Sequence, residues 1–365
     1  MRIALCVNAF SPSVGGCEVV VGKIAEYYAQ DHEVCVFTRH LLKRKEKRIG
    51  SVEVVSYNPS NVSSFLLRIK KFNPDFTLVY SDVFDFLQPV VENLSNVCVA
   101  FCGANRFYNK PYTLNLFKRH LSSVSSFVCH TKSERDYRLA AQLGVLDKTH
   151  VIPLGVDLDE FDNDLSREDL VPGSMKDDLW VLNVSNFFPG KGQLHLVDIL
   201  HRTKTRPLTY VQICSSLDFA LGKHLEQQWR AKANQLSSEG IRVILMKDKS
   251  REKVVAAFKN SNVFVFPSEK ESGGIVLLES MAAGTPWVAS NIGIAPDICG
   301  GYCLTAAKDG NYNAIFDERI KSLFANRIDD CFDWEKSGQL IEEGSKDVEK
   351  YQWKSILPLY KRLLK

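Results

Sequence analysis

The amino-acid sequence predicts an α/β protein with two doubly wound domains, each a parallel sheet covered by helices on both faces. Short runs rich in valine and isoleucine alternate with amphipathic segments, which is typical of buried parallel strands and their crossover helices. A length of 365 residues exceeds what one hydrophobic core usually organises and suits two domains. A polar, acidic stretch near the middle divides two such series, so each series is expected to form one domain.

The first series predicts an N-terminal domain at residues 1–160. Its strand-like runs are RIALCVNA, HEVCVFTR, DFTLVYSD and NVCVAFCG. Because these runs are continuously apolar, we expect strands that are buried on both faces. The next stretch, 161–177, carries proline, glycine and acidic residues without periodicity, and it is expected to be an interdomain linker.

The pattern then restarts and predicts a second domain at 178–345. The runs LWVLNVSNF, LTYVQICSS, IRVILMKD and NVFVFPSE are its expected strands. Residues 346–365 have apolar side chains at helical spacing and a basic end, which favours a helix C-terminus. We therefore expect the chain to close with a C-terminal helix.

The composition argues against several classes of protein. A net charge of +3 is too small to indicate a nucleic-acid partner. The ten cysteines are scattered and mostly lie in apolar runs, which favours reduced thiols in the cytoplasm over a disulfide framework. Cys299 and Cys303 have no second Cys/His pair at zinc-ligand spacing, so no metal is expected. No run approaches the roughly 18 apolar residues of a membrane span.

One segment, ESGGIVLLESMAAG, places Glu271 and Glu279 on either side of Gly273 and Gly274, after a predicted strand. Eight helical residues rise about 12 Å, so one small group cannot easily contact both carboxylates. A nucleotide-sugar carries hydroxyls on its hexose and on its ribose, with a diphosphate between them. The glycine amides, at a helix N-terminus, suit that anion. On residue type alone, two solvated surface glutamates remain the alternative.

The same segment resembles the E-x7-E signature of glycosyltransferase family 4, the retaining GT-B enzymes that move a sugar from a nucleotide diphosphate to an acceptor. Five further segments extend the resemblance over nearly the whole chain: FSPSVGGCEVVVGKIAEYYA, VIPLGVDLDEF, FPGKGQLHLVDIL, NIGIAPDIC and YQWKSILPLY. The resemblance implies two Rossmann-like lobes with a cleft between them. It also implies that the C-terminal helix crosses back to the first lobe.

Roles for individual residues follow from the resemblance. Glu271, Lys191 and Gly16 are expected to be catalytic, with Lys191 neutralising the diphosphate that leaves. Two of these residue types also have explanations without a catalytic role. Lys191 alone could be a solvated side chain, and the glycine pair 15–16 could form a plain strand-to-helix turn. The expected donor-binding residues are Gly15, Gly16, Asn186, Lys191, Gly273, Gly274, Ile275 and Glu279.

The sequence departs from the family pattern in three places. Asn186 stands where the family usually has an arginine, so one cation on the phosphates is missing. Cys102 is the nearest match to a histidine beside the donor sugar, and Asn105 and Arg106 follow it. These three are expected on the acceptor or sugar side, and Arg106 is a candidate for the missing charge. Gly273 replaces a common phenylalanine, which should make its loop more mobile.

The resemblance implies a retaining, metal-independent hexosyltransferase without a cofactor. The expected donor is a nucleotide-sugar, a UDP-sugar rather than a GDP-sugar. The expected acceptor is a glycan or lipid-linked saccharide in glycan or envelope polysaccharide synthesis. A nucleotide-sugar 2-epimerase of the same fold and a non-catalytic nucleotide-sugar-binding subunit are the alternatives.

A basic run at 39–48 holds six lysines and arginines against one glutamate. Basic side chains are attracted to the anionic inner face of a membrane, so we expect a cytoplasmic protein that attaches there peripherally. A solvated loop after the second strand is the alternative explanation of the run.

Overall fold

A computed structural model describes residues 1–11, 15–39, 48–57, 61–80, 84–101, 115, 118–132, 135–162, 164–216, 220–308 and 313–364. The chain forms two compact units. Unit 1 comprises Met1–Gly155 together with Trp353–Lys365, and unit 2 comprises Val156–Gln352.

Unit 1 is built on one sheet that contains eight strands within the described residues, in the order β3-β4-β2-β1-β5-β6-β7-β8. Neighbouring strands pair in parallel except β3 and β4, which form a short antiparallel pair. The predicted parallel, doubly wound sheet is thereby confirmed. The strands are β1 (Arg2–Val7), β2 (Glu33–Arg39), β3 (Arg48–Ile49), β4 (Val52–Tyr57), β5 (Phe76–Tyr80), β6 (Val97–Ala100), β7 (Val124–Cys129) and β8 (Thr149–Val151).

Helices connect these strands and cover the sheet. Within the described residues they include α1 (Gly16–Tyr28), α2 (Val62–Phe72), α3 (Phe84–Asn93) and α4 (Arg135–Gln142). Every residue of β5 is buried, as the continuous apolar run FTLVY requires of a central strand. The core beneath the helices includes Phe37, Phe65 and Phe127, none of which is more than 1% exposed.

Unit 2 repeats the architecture with six parallel strands in the order β11-β10-β9-β12-β13-β14, counted within the residues the structure describes. The strands are β9 (Trp180–Val184), β10 (Leu208–Cys214), β11 (Ile241–Lys247), β12 (Val263–Phe266), β13 (Trp287–Ser290) and β14 (Gly301–Leu304). Its helices are α5 (Arg167–Leu170), α6 (Gln193–Leu200), α7 (Ala220–Ala233), α8 (Arg251–Lys259), α9 (Ile275–Ala282), α10 (Glu318–Asp330) and α11 (Trp334–Val348).

The last helix, α12 (Trp353–Tyr360), belongs to unit 1. The hydroxyl of Tyr28 on α1 donates a hydrogen bond of 2.8 Å to the carbonyl oxygen of Tyr360, and this contact is buried. Gly155 allows Trp353 to approach closely, because a Cβ on this glycine would lie 2.5 Å from the indole ring. The chain therefore crosses back to its first unit, as predicted.

The boundaries of the units differ from those predicted. The stretch 161–177, predicted as a linker, lies within unit 2. It contains α5, which begins with a capping box between Ser166 and Asp169. Arg167 then donates to the carbonyl of Asn260 and to the side chain of Asn262, so the stretch is fastened to the unit. The return to unit 1 falls at residue 353 instead of 346 because α11 still belongs to unit 2.

Two further observations apply to the described part of the chain. No helix there is long and apolar enough to cross a bilayer. The nine cysteines that it contains are all free thiols, seven of them with a raised pKa caused mainly by burial.

Candidate functional site

The sheet of unit 2 has a switch point between its two central strands. The chain runs from β9 outward to β11 and then crosses to β12, which pairs with the other side of β9. In such sheets the loops at the carboxyl ends of the two central strands diverge and leave a crevice that binds ligands. These loops are 185–192, after β9, and 267–274, after β12. They carry Lys191 and Glu271.

Close backbone contact joins the two loops. Gly192 has a φ of +76°, and a Cβ there would lie 1.8 Å from the carbonyl oxygen of Pro267. The carbonyl of Gly190 accepts 2.8 Å hydrogen bonds from the amide of Glu269 and from the hydroxyl of Ser268. Only glycine fits position 192, so the sequence G-K-G fixes where the lysine stands.

Lys191 and Glu271 form an ion pair across the two loops. The Lys191 ammonium donates to Glu271 Oε1, and the Ser268 hydroxyl lies 3.2 Å from the same oxygen. The side chains are 29% and 12% exposed, so the pair is partly shielded from water. Lys191 also lies 5.8 Å from the ring centroid of Phe266. The structure thus brings together two of the three residues that the sequence predicts to be catalytic.

Glu279 lies on α9 and is held by a different cation. It is only 7% exposed, and Arg251 donates a hydrogen bond to Glu279 Oε1. Arg251 also bonds Glu160 at 2.8 Å. Burial raises the pKa of the Glu279 carboxyl, and the positive charge of Arg251 opposes that rise. A buried carboxylate that is paired with a cation is suited to accept hydrogen bonds from paired hydroxyls.

Sequence reasoning did not find Arg251. The sequence feature that could have indicated this residue is its position. Arg251 directly follows Ser250, the N-cap residue of α8, at the carboxyl edge of the sheet. A cation at that edge is a site candidate by the switch-point argument.

The glycines predicted to bind the donor phosphates stand where α9 begins. Gly274 is the N-cap residue of α9, with a φ of +88°, and Ile275 is the first helical residue. The Gly273 carbonyl accepts a 2.7 Å hydrogen bond from the amide of Ile294. A Cβ on Gly293 would lie 2.4 Å from that carbonyl, so a second glycine permits the contact. These backbone contacts hold the loop together with the side-chain bonds of Ser268 and Glu271.

Asn186 has a structural role in this site. Its side-chain oxygen accepts a 2.7 Å hydrogen bond from the amide of Ser215, and its carbonyl accepts one from Gln193. These bonds tie the loop after β9 to the end of β10 and to the start of α6. The asparagine therefore supports the loop that carries Lys191 and brings no positive charge.

In unit 1, the predicted glycine loop leads into α1. Gly15 is the N-cap and Gly16 the first helical residue. The carboxylate of Glu18 folds back over this end, because a Cβ on Gly15 would lie 2.5 Å from Glu18 Oε2. Burial is the main cause of the raised pKa of Glu18. Cys102, Asn105 and Arg106 lie outside the described residues.

Within the described ranges, no three histidine, cysteine, aspartate or glutamate side chains cluster in a way that could hold a metal ion. Two cation–carboxylate pairs, Lys191–Glu271 and Arg251–Glu279, lie at the switch point of unit 2.

Two parallel α/β units, with a returning C-terminal helix and charged loops at the switch point, define the GT-B class of glycosyltransferases. The family model described as glycosyltransferase family 4 matches residues 14–160, and the model described as glycosyl transferases group 1 matches residues 167–346. The chain belongs to the family 4 glycosyltransferases.

Relatives in sequence are also glycosyltransferases. An uncharacterized glycosyltransferase of Methanocaldococcus jannaschii is 24% identical, and the match covers 98% of this chain and 96% of that protein. A D-inositol 3-phosphate glycosyltransferase of Paenarthrobacter aurescens is 27% identical, but the match spans 59% of this chain and 51% of that protein.

Solved structures share the fold. Sucrose-phosphate synthase from Thermosynechococcus elongatus has a TM-score of 0.81 at 18% identity, covering 99% of this chain and 98% of that one. The Anabaena protein HepE, solved in complex with UDP and glucose, has a TM-score of 0.78 at 16% identity, covering 100% and 99%.

Proposed function

We propose that the protein is a retaining hexosyltransferase. It moves a sugar from a nucleotide diphosphate, a UDP-sugar rather than a GDP-sugar, to a saccharide or lipid-linked saccharide acceptor in glycan or envelope polysaccharide synthesis. The observation that carries the proposal is the Lys191–Glu271 ion pair at the switch point of unit 2. A transferase needs a cation for the diphosphate and a carboxylate for sugar hydroxyls, and the pair offers both in one place.

Each charged group then has one task. Lys191 stabilises the negative charge on the departing diphosphate, and Glu271 accepts hydrogen bonds from the hydroxyls of the transferred sugar. Glu279, paired with Arg251, accepts them from the ribose. Retention follows from attack by the acceptor on the face from which the diphosphate leaves, within a tightly held ion pair and without a protein nucleophile.

A UDP-sugar is the proposed donor because HepE, which shares the fold over its whole length, was also solved in complex with UDP-glucose. Activity without a metal is proposed because Lys191 and the amides at the start of α9 supply the positive charge that the diphosphate needs.

Peripheral attachment to an anionic membrane face is also proposed. Most of the basic run at 39–48 lies outside the described residues. On α2, however, Leu67 is 71% exposed, and the exposed Arg68 and Lys71 are its neighbours on the helix. An exposed leucine among basic residues suits the boundary between headgroups and acyl chains.

The test incubates the full chain with a panel of radiolabelled nucleotide-sugars, with and without saccharide acceptors, and follows product configuration. We expect transfer with retained configuration, most rapid with a UDP-sugar and undiminished by EDTA. Epimerised sugar without an acceptor would identify a 2-epimerase, and nucleotide binding without turnover would identify a non-catalytic subunit. Activity lost in EDTA and restored by magnesium or manganese would contradict metal independence.

A further inference from the structure

Unit 1 contains a pocket outside the glycine loop and apart from the charged loops of unit 2. Its volume is about 370 Å³, and it lies along β8, the last strand of the sheet order, between α4 and the end of α12. The residues that line it are Lys132, Tyr137, Thr149, His150, Val151, Ile152, Leu359 and Arg362.

The charge of this lining is of one sign. Lys132 and Arg362 are cations, His150 adds a ring nitrogen, and no carboxylate belongs to the described lining. The structure gives none of these three side chains an ion pair or hydrogen bond with the residues it describes. Neighbouring cations behave differently, since Lys148 donates to two backbone carbonyls and Lys361 pairs with Asp31, just after α1. Among the described residues, the pocket therefore gathers positive charge that no carboxylate neutralises.

The backbone of β8 adds a hydrogen-bond donor to the lining of the pocket. The amide of Ile152 donates a 2.9 Å hydrogen bond to the carbonyl of Cys129 on β7. Backbone groups of successive strand residues point to opposite sides, so the N–H of Val151 points away from β7 toward the outer edge of the sheet. That edge lines the pocket.

The remaining walls suit a small organic group. Tyr137 offers an aromatic face and a hydroxyl, and Ile152 and Leu359 supply apolar surface. A volume of about 370 Å³ is at the small end of the range for ligand pockets. It has room for an anionic group and about one ring.

We propose that this pocket binds a small organic phosphomonoester, such as a phosphorylated sugar. A phosphate dianion accepts two parallel hydrogen bonds from the guanidinium of Arg362 and charge-assisted bonds from Lys132 and the edge amide. The ring of the ligand packs against Tyr137. The proposal does not depend on the donor site proposed for unit 2, because the two sets of residues have no member in common.

The experiment titrates the full chain with glucose 6-phosphate by calorimetry, in buffer free of phosphate, with glucose as a neutral probe. We expect saturable binding of glucose 6-phosphate and none of glucose. Arg362→Gln should weaken binding roughly tenfold or more, as loss of a charged hydrogen bond does. Lys361→Gln is the matched control, because it removes the same charge one residue away but outside the lining, and it should change affinity less than about twofold.

A second control separates this pocket from the donor site. Lys191→Gln should leave glucose 6-phosphate binding unchanged, whereas it should weaken UDP binding. The melting temperature of each variant shows whether it folds, and glucose 6-phosphate should raise that temperature in the wild type more than in Arg362→Gln. The proposal is overturned by no saturable binding up to about 10 mM. Equal affinities of the two variants at 361 and 362, or binding lost in Lys191→Gln, would overturn it too.

Discussion

At the level of single residues, the site in unit 2 depends on how each carboxylate is neutralised. Glu271 pairs with Lys191, whereas Glu279 pairs with Arg251. A buried carboxylate without a partner would take up a proton and lose its ability to accept two hydrogen bonds. Each pair therefore places a cation directly beside one hydrogen-bond acceptor of the site.

The two glutamates should differ in kinetics. Glu271→Ala should lower kcat more than it lowers UDP affinity, because its bonds to the transferred sugar strengthen in the transition state. Glu279→Ala should weaken UDP binding instead, through the ribose. Each loss should be about 1.5 to 3 kcal/mol. Steady-state kinetics and UDP titration measure both effects. Glu269→Ala is the control, because Glu269 lies two residues before Glu271 but pairs with His195. Near-native kinetics in both variants would contradict the assignment.

Removing Arg251 should make stability depend more steeply on pH. The folded pKa of the Glu279 carboxyl already lies above its ordinary value because of burial, and Arg251→Met should raise it further. A carboxyl whose pKa is higher in the folded state makes the free energy of unfolding fall as pH rises between the unfolded and folded values. We expect Arg251→Met to lose about 3 kcal/mol at pH 8 and less at pH 5.

Urea unfolding at both pH values measures that difference. Lys253→Met, on the same helix, is the control because the structure gives it no bond to Glu279. A loss that is equal at the two pH values would mean that Glu279 is not the group responsible.

The sequence predicted Lys191 and both glutamates as site residues, because all three lie within short motifs. It did not find Arg251, because the contacts of this residue join segments about thirty and ninety positions away. The same limit applies to Asn186, whose partner Ser215 follows the next strand. Side chains whose roles come from long-range packing leave no local pattern.

Among the secondary-structure elements, the sequence predicted α9 well, because glycines precede it and Gly284 follows it at the usual stop position. It did not predict α5, because acidic and proline-containing composition hid the local signal. That signal was present as Ser166 followed by Asp169, a capping pair at the correct spacing.

The loop before α6 should not tolerate a side chain at its second glycine. Gly192→Ala adds a Cβ against the Pro267 carbonyl at a φ of +76°, so the backbone must shift. Gly173→Ala is the matched control, since its φ is +81° and no atom lies within 4 Å of the added Cβ. We expect a cost of about 1 kcal/mol for Gly173→Ala and clearly more, about 3 kcal/mol, for Gly192→Ala.

The midpoint of urea unfolding reports both losses of stability, and both substitutions lie in unit 2. Only Gly192→Ala should also weaken UDP binding, because it displaces Lys191. Equal midpoints for the two variants would show that the loops do not depend on the close contact.

At the scale of the whole molecule, membrane attachment can be tested by charge. Each lysine or arginine near an anionic surface contributes about 1 kcal/mol, so a cluster holds a protein there reversibly. We expect salt-sensitive cosedimentation with vesicles that contain anionic lipid and little with neutral vesicles. Binding should be lost in the variant with glutamine at Lys43, Arg44, Lys45 and Lys47.

The control for that variant carries glutamine at four exposed lysines of unit 2, namely Lys176, Lys204, Lys249 and Lys346. It should still bind, because the same net charge is removed elsewhere. Equal partitioning to neutral and anionic vesicles, or none to either, would favour a soluble saccharide as the acceptor.

The return of α12 to unit 1 affects the order in which the two units can finish folding. Unit 2 is one uninterrupted segment, so it can complete its sheet as soon as residue 352 has left the ribosome. Unit 1 begins first but lacks the partner of Tyr28 until α12 emerges. We therefore expect the unit that is synthesised earlier to be the last to finish folding, with its face near α1 uncovered while the other unit is translated.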